Sequence, residues 1–248
     1  MSDDATVVVS QTITIAVDTG ACTPLTVELA VELAIASKGQ LQGLFIEDAD
    51  LLSTARLPFS CEITLATGQT RGLDPQQLQN SFNRLANQFR QLLAQKAEQS
   101  VLQYSFHSMQ GRKQDLLKQN LPGSGYLIVD RSTQRLHWKA TTGRVSKRIL
   151  IVEGASPGRL NGLLELIAGK FTKAHFDLLF LKTTEPSALP QKPVISNCSV
   201  HWVEPSQVES LLWDSRVPLD FILVDNQADG ELLERLVREA SCPVIVAW

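Results

Sequence analysis

The sequence predicts an α/β protein made of two related halves, each a set of parallel strands joined by helices. Three observations predict it. First, a short apolar strand ending in an acid and a small residue occurs twice. It appears at Thr14-Ile15-Ala16-Val17-Asp18-Thr19-Gly20 and again at Arg148-Ile149-Leu150-Ile151-Val152-Glu153-Gly154, 135 positions later. Second, strand-like and helix-like segments alternate at spacings too long for hairpins, which requires crossover connections and parallel strands. Third, several helices start at a capping hydroxyl or carboxylate followed by proline.

The repeat extends past the first strand. Leu25 maps to Leu160, Leu29 to Leu164, Leu44 to Leu179 and Phe45 to Phe180, so the register is expected to hold without a gap into the second strand. A later block, Tyr126–Asp130 against Phe221–Asp225, matches at an offset of 95. The two offsets differ by forty, so the first copy carries forty residues that the second lacks. The expected division is a first unit over 11–143 and a second over 144–248.

In the first copy, strands are expected near 13–17, 41–46, 101–107 and 126–130. The first helix starts at Thr23-Pro24 and is apolar nearly all round, as suits a helix packed on a sheet. The second opens at Asp74-Pro75, with Gln77 spaced for a capping box. Its apolar residues Leu78, Phe82, Leu85, Phe89 and Leu92 recur at steps of three and four. After Asp130, about 18 residues remain before the next strand, too few for a helix and a fifth strand by ordinary element lengths. The second copy is leaner, with strands near 148–152, 177–181, 199–203, 220–224 and 243–247. Its helices start at Ser156-Pro157, near Pro205 and near 229. No equivalent of the Asp74 helix is present, and Thr183–Asn197, with Pro186, Pro190 and Pro193, reads as a loop.

Composition narrows the function classes. Of 248 residues, 44% are apolar and 20% charged, too apolar for a disordered chain. A net charge of −3 argues against a general polyanion binder, so nucleic acid is not an expected partner. No apolar run approaches the roughly 20 residues that span a bilayer, and the acidic start lacks signal-peptide character. No membrane partner is expected, and the expected location is the cytoplasm. Cysteines at 22, 61, 198 and 242 form no disulfide framework or metal pattern. The histidines at 107, 137, 175 and 201 lack zinc-site spacing, so no metal is expected.

With its two βα halves, a first strand ending in Val17-Asp18, and the ending Leu236-Val237-Arg-Glu-Ala-Ser-Cys242-Pro243-Val-Ile-Val, the chain resembles tandem universal stress proteins. The resemblance implies two open parallel sheets of order 3-2-1-4(-5), with ligands at the carboxyl ends of the strands. Open α/β sheets bind ligands there in general, because the switch in strand order opens a crevice. Family members that bind ATP carry three spaced glycines after the fourth strand, whose backbone N–H groups cradle phosphates. This chain has Asp130-Arg131-Ser132-Thr133 in one copy and Asp225-Asn-Gln-Ala-Asp-Gly230 in the other, and neither keeps the pattern. ATP is therefore not an expected cofactor, and no other is indicated.

The resemblance also nominates ligand contacts. Asp18, with Thr19 and Gly20 after it, corresponds to the acid beside the base in nucleotide-binding relatives, and Glu153 stands in its place in the second copy. Asp130 and Asp225 end the two fourth strands. Arg131, Ser132 and Thr133 would offer charge and hydroxyls where the family offers glycine amides. They open a connector with six cations (Arg131, Arg135, Lys139, Arg144, Lys147, Arg148) and no acid, suited to phosphate or an acidic partner surface, or simply to solvation. The acidic turn Glu47-Asp48-Ala-Asp50 reads as a capped, solvated turn. Gly154-Ala-Ser156-Pro157-Gly158 matches the nucleophile-elbow pattern, but Pro157 has no N–H for an oxyanion, so Ser156 reads as a helix cap.

The expected function is that of a non-enzymatic, stress-type protein binding a small ligand or a protein partner, with no catalytic residues. The alternative is a nucleotide-binding protein or hydrolase of the nucleotide α-hydrolase class. That class's Ser-Gly-Gly-x-Asp-Ser and His-x-Gly-His motifs are absent. The open edge at 126–130 must be covered. Val7–Val9, the connector, and the terminal strand Pro243–Trp248 are the candidates. The terminal strand is favoured, either within the chain or across a homodimer.

Overall fold

The computed structural model describes residues 11–18, 23–64, 66–112, 115, 125–130, 146–154, 160–182, 195–213 and 218–248. Half one contributes β1 (Thr12–Val17), α1 (Pro24–Ala36), β2 (Gln40–Asp48), α2 (Ala49–Ala55), the short strands β3 (Cys61–Ile63) and β4 (Thr70–Gly72), α3 (Pro75–Gln99), β5 (Tyr104–Gly111) and β6 (Tyr126–Asp130). Half two contributes β7 (Ser146–Val152), α4 (Asn161–Lys170), β8 (His175–Leu181), β9 (Cys198–Val203), a 3-10 turn at Pro205–Gln207, α5 (Val208–Trp213), β10 (Phe221–Asp225), α6 (Gly230–Glu239) and β11 (Val244–Ala247).

Nine strands form one sheet in the order β5-β2-β1-β6-β11-β10-β7-β8-β9. Half one alone reads 3-2-1-4, and half two, read from β9 inward, 3-2-1-4-5. All neighbours are parallel except β6 and β11, which run antiparallel with Val244 beside Val129 and Ala247 beside Tyr126. The expected two sheets are therefore one continuous sheet. The reason is the edge left by the short connector: the terminal strand fills it within the chain. Val244–Ala247 are at most 1% exposed, and burying each Val or Ile side chain contributes about 1.5–3 kcal/mol. Val7–Val9 and residues 131–145 lie outside the described residues.

Helices α1, α3 and α4 cover one face of the sheet, and α5 and α6 cover the other. α1 has its N-cap at Thr23, whose Oγ accepts the Thr26 N–H, with Pro24 in the first turn. Apolar residues surround it because it lies between α3 and α4 over the sheet; Lys96 pairs with Glu28 at 2.9 Å and Lys170 with Glu32 at 2.6 Å. α3 is capped at Asp74, whose carboxylate accepts the Gln76 N–H. The side-chain cap is that contact and not a box through Gln77. Phe82, Phe89, Leu93 and Ala97 form its buried stripe. α2 and the β3–β4 pair escaped the sequence reading, because strands of three residues carry too little alternation to register. Together with α3 they occupy the stretch in which the sequence comparison expects the first half to be longer. In half two, α4 is described from Asn161, and residues 155–159, with Ser156 and Pro157, lie outside the described residues.

The expected gapless register fails at the first strand. In β1, Ile13, Ile15 and Val17 face the α1 layer. Their partners at 135, Leu150 and Val152, face the opposite layer, while Ile149 and Ile151 take the helix side. Second strands do match at 135: Phe45 and Phe180 lie on the same face, as do Leu44 and Leu179. Val17 sits beside Phe45 and Ile151 beside Phe180. Relative to the second strand, β7 is thus displaced by one residue, and a one-residue slip turns every side chain to the other face.

Candidate functional site

Opposed strand directions in the two halves place their carboxyl ends at opposite ends of the sheet, so the two switch-point crevices face away from each other. In half one the crevice lies between β1 and β6. Val17 is paired with Asp130, and Asp18 follows at the mouth, half-buried. Asp130 is 2% exposed. Its Oδ2 accepts the Thr23 N–H at 3.1 Å and the Thr23 hydroxyl at 3.3 Å. A helix N-terminus attracts anions through its free N–H groups and dipole. Here the chain's own carboxylate occupies the α1 N-terminus. Thr19, Gly20, Arg131, Ser132 and Thr133 lie outside the described residues.

In half two, Glu153 leaves β7 beside Asp225 at the end of β10. Asp225 is 1% exposed, and its Oδ1 accepts the Gln227 N–H at 3.0 Å, a turn that starts the approach to α6. Gly154 lets the chain pass against this turn, since an added Cβ would stand 2.9 Å from both Asp225 Cγ and Gln227 Cβ. Burial, and then the charge of Asp225, hold the Glu153 carboxyl above the usual carboxylate range. Because of the one-residue slip relative to the second strand, Glu153 is not level with Asp18. The two acids are not equivalents.

Other sequence candidates resolve into structural roles. Asp48 caps α2 by accepting the Asp50 and Leu51 N–H groups, Asp50 pairs with Arg112 at 2.7 Å, and Glu47 accepts from Gln79 and Ser108. That is the capped turn the sequence suggested. Two cations of the basic connector, Lys147 and Arg148, belong to β7. Lys147, 4% exposed, pairs with buried Asp220 at 3.0 Å and lies 5.0 Å from the Phe171 ring centroid. Asp220 also accepts the Arg148 N–H at 2.9 Å. The sequence reading passed over Asp220, and the acid directly before an apolar strand was the available signal. Cys242 is buried close by, and burial first, then Asp220 and Asp130, push its thiol pKa up. Among the described residues no group of three or more His, Cys, Asp or Glu could hold a metal, and no helix is long and apolar enough to cross a membrane.

The architecture is a mixed α/β fold on a large, mostly parallel sheet. The chain matches no protein-family model and no curated protein. Among solved structures it is similar to a universal stress protein from Archaeoglobus fulgidus, at 11% identity and a TM-score of 0.43, over 94% of this chain and 95% of that one. It is also similar to a protein of unknown function from Pseudomonas aeruginosa, at 10% identity and a TM-score of 0.40, over 96% of this chain and 92% of that one.

Proposed function

We propose that the chain is a tandem, degenerate stress-type protein of the cytoplasm, with units 11–143 and 144–248, whose crevices bind a small uncharged ligand or a protein partner in place of ATP. The observation that carries this reading is Asp130. Its buried carboxylate holds the N–H and hydroxyl of Thr23 at the start of α1, the kind of donor set a phosphate would use. Half two supports the same reading, because Glu153 beside Asp225 would repel a polyphosphate.

The test is calorimetry of the whole chain with adenosine and with ATP, backed by a phosphate-release assay. ATP is expected to bind no more tightly than adenosine, without turnover. Micromolar ATP affinity abolished by Asp18→Ala, or measurable ATPase activity, would overturn the reading.

A further inference from the structure

Far from both crevices, at the amino ends of β8 and β9 on the outer edge of half two, a second polar constellation is assembled. His175 opens β8, Asn197 directly precedes β9, and Ser199 is the second residue of β9. The parallel register sets Ser199 beside Asp177, so Ser199 lies one strand over and two positions along from His175. His175 Nε2 is 2.8 Å from Ser199 Oγ, and His175 Nδ1 is 3.0 Å from Asn197 Oδ1.

The network assigns the protons. Asn197 Nδ2 donates to the Ala174 carbonyl at 3.1 Å, which turns its amide oxygen toward the histidine. An amide oxygen only accepts, so Nδ1 carries a ring proton, and in the neutral imidazole Nε2 keeps its lone pair. Ser199 therefore donates its hydroxyl proton to Nε2. A nucleophile on a base, with the base oriented by a third, anchored group, is the arrangement that activates serine. Asp177 Oδ1 stands 3.6 Å from Nε2, while its Oδ2 accepts from Ser146 Oγ at 2.6 Å. That carboxylate is placed to stabilise the imidazolium formed when the base takes a proton.

The backbone N–H next to the nucleophile is directed away from β8. Phe176 N–H donates to Asn197 O, and Lys182 N–H to Val203 O, so odd-numbered positions of β9 turn their backbone groups toward β8. Alternation sends the N–H of Val200, the residue after Ser199, to the opposite side. There the described residues place no further strand, because β9 ends the sheet.

We propose that Ser199, His175 and Asn197 form a nucleophilic site that hydrolyses uncharged esters of small carboxylic acids. The substrate class follows from the setting. His175 and Ser199 are half-buried at an open edge, β9 carries no Asp, Glu, Lys or Arg, and Asp177 disfavours an anionic ester. In the first step Ser199 Oγ bonds to the ester carbonyl carbon while Nε2 takes its proton. The carbon–oxygen bond to the alcohol then breaks, and the alcohol leaves with that proton. Water next attacks the acyl-Ser199 carbonyl, giving a proton to Nε2. Ser199 recovers that proton as the acid departs, so one ester and one water become one acid and one alcohol.

The experiment treats the full chain with a fluorophosphonate and locates the adduct by intact mass and peptide mapping, alongside p-nitrophenyl acetate hydrolysis. One adduct on Ser199 is expected, absent in Ser199→Ala. His175→Gln should slow labelling about a hundredfold or more, the usual worth of a general base. No adduct on Ser199, or equal labelling of His175→Gln, would overturn the proposal and leave the cluster as a staple between β8 and β9. If Ser199→Ala does not fold, the mapped adduct on the parent and the labelling rate of His175→Gln still decide.

Discussion

The sheet surface under α3 in half one and its counterpart in half two are solved differently. In half one, Gly43 of β2 leaves room for α3: an added Cβ would stand 2.5 Å from Leu93 Cδ2. Phe89 of the helix then meets Phe106 of β5 edge to face, with ring centroids 5.8 Å apart. In half two, the position two before Phe180 is Leu178, fully buried, where half one has Gly43. The site corresponding to Phe106 is Val200, 40% exposed, and Trp202 leans on Phe180 at 5.7 Å. Where a long helix docks, the strand gives up its side chain. Where no such helix stands among the described residues, the strand supplies the bulk itself. Helix and glycine are one device, divided between two elements 50 residues apart in the chain.

This comparison can be broken at several points. The largest effect belongs to the element that both halves share. Removing Pro243–Trp248 deletes β11, which pairs with β10 on one side and β6 on the other. The truncated protein is expected to lose cooperative thermal unfolding. If it melts like the parent with the same oligomeric state, β11 does not join the halves.

Next comes the helix contact. Phe89→Ala should cost about 3–5 kcal/mol in denaturant unfolding, as large aromatic truncations in cores do. Val200→Ala should stay within about 0.5 kcal/mol, as for an exposed position. Equal losses would mean that half two's face is covered as fully as half one's. Gly43→Ala comes third, at about 1–3 kcal/mol for overpacking against Leu93 and Phe106. A neutral Gly43→Ala would show that α3 can shift without penalty, and that the glycine is not what admits it.

The smallest effect concerns Glu153. Its folded pKa is raised, so between the unfolded and folded values the native state binds more protons. Stability therefore falls as pH rises through that window. Glu153→Gln removes the ionisation. The variant should melt above the parent at about pH 7 and level with it near pH 3.5, where the Glu153 carboxyl is largely protonated in the folded and the unfolded chain alike. A variant less stable than the parent at neutral pH would show that the charged carboxylate has a favourable partner, and that half two's crevice is not set against anions.

Much of the architecture was legible from local pattern. Asp74-Pro75 and Thr23-Pro24 marked helix starts because a cap's chemistry acts within four residues. The alternation of strands and helices implied parallel pairing, and the short connector after Asp130 left an edge that something had to fill. The crevice was less legible. Asp18 and Glu153 looked like partners because their neighbours in sequence match, yet β7 sits one residue out of step. Register is decided by which side chains fit between sheet and helix, and the repeat does not record that. Asp130 likewise has a contact that the sequence does not show. Only its place across the sheet from Thr23 shows it holding the start of α1, 107 residues away in sequence.

Hydrophobic periodicity, caps and breakers by themselves determined most of the longer elements and their order, because each depends on interactions within a turn or two of the backbone. Tertiary structure alone decided that the fifth strand of half two closes half one, that Gly43 yields to Leu93, that β7 is displaced by one residue, and that His175 meets Ser199 and Asn197. Each of those facts is a contact between segments far apart in the chain. Each is selected by close packing and by the need to pair every strand edge, and neither demand is written in any local stretch of sequence.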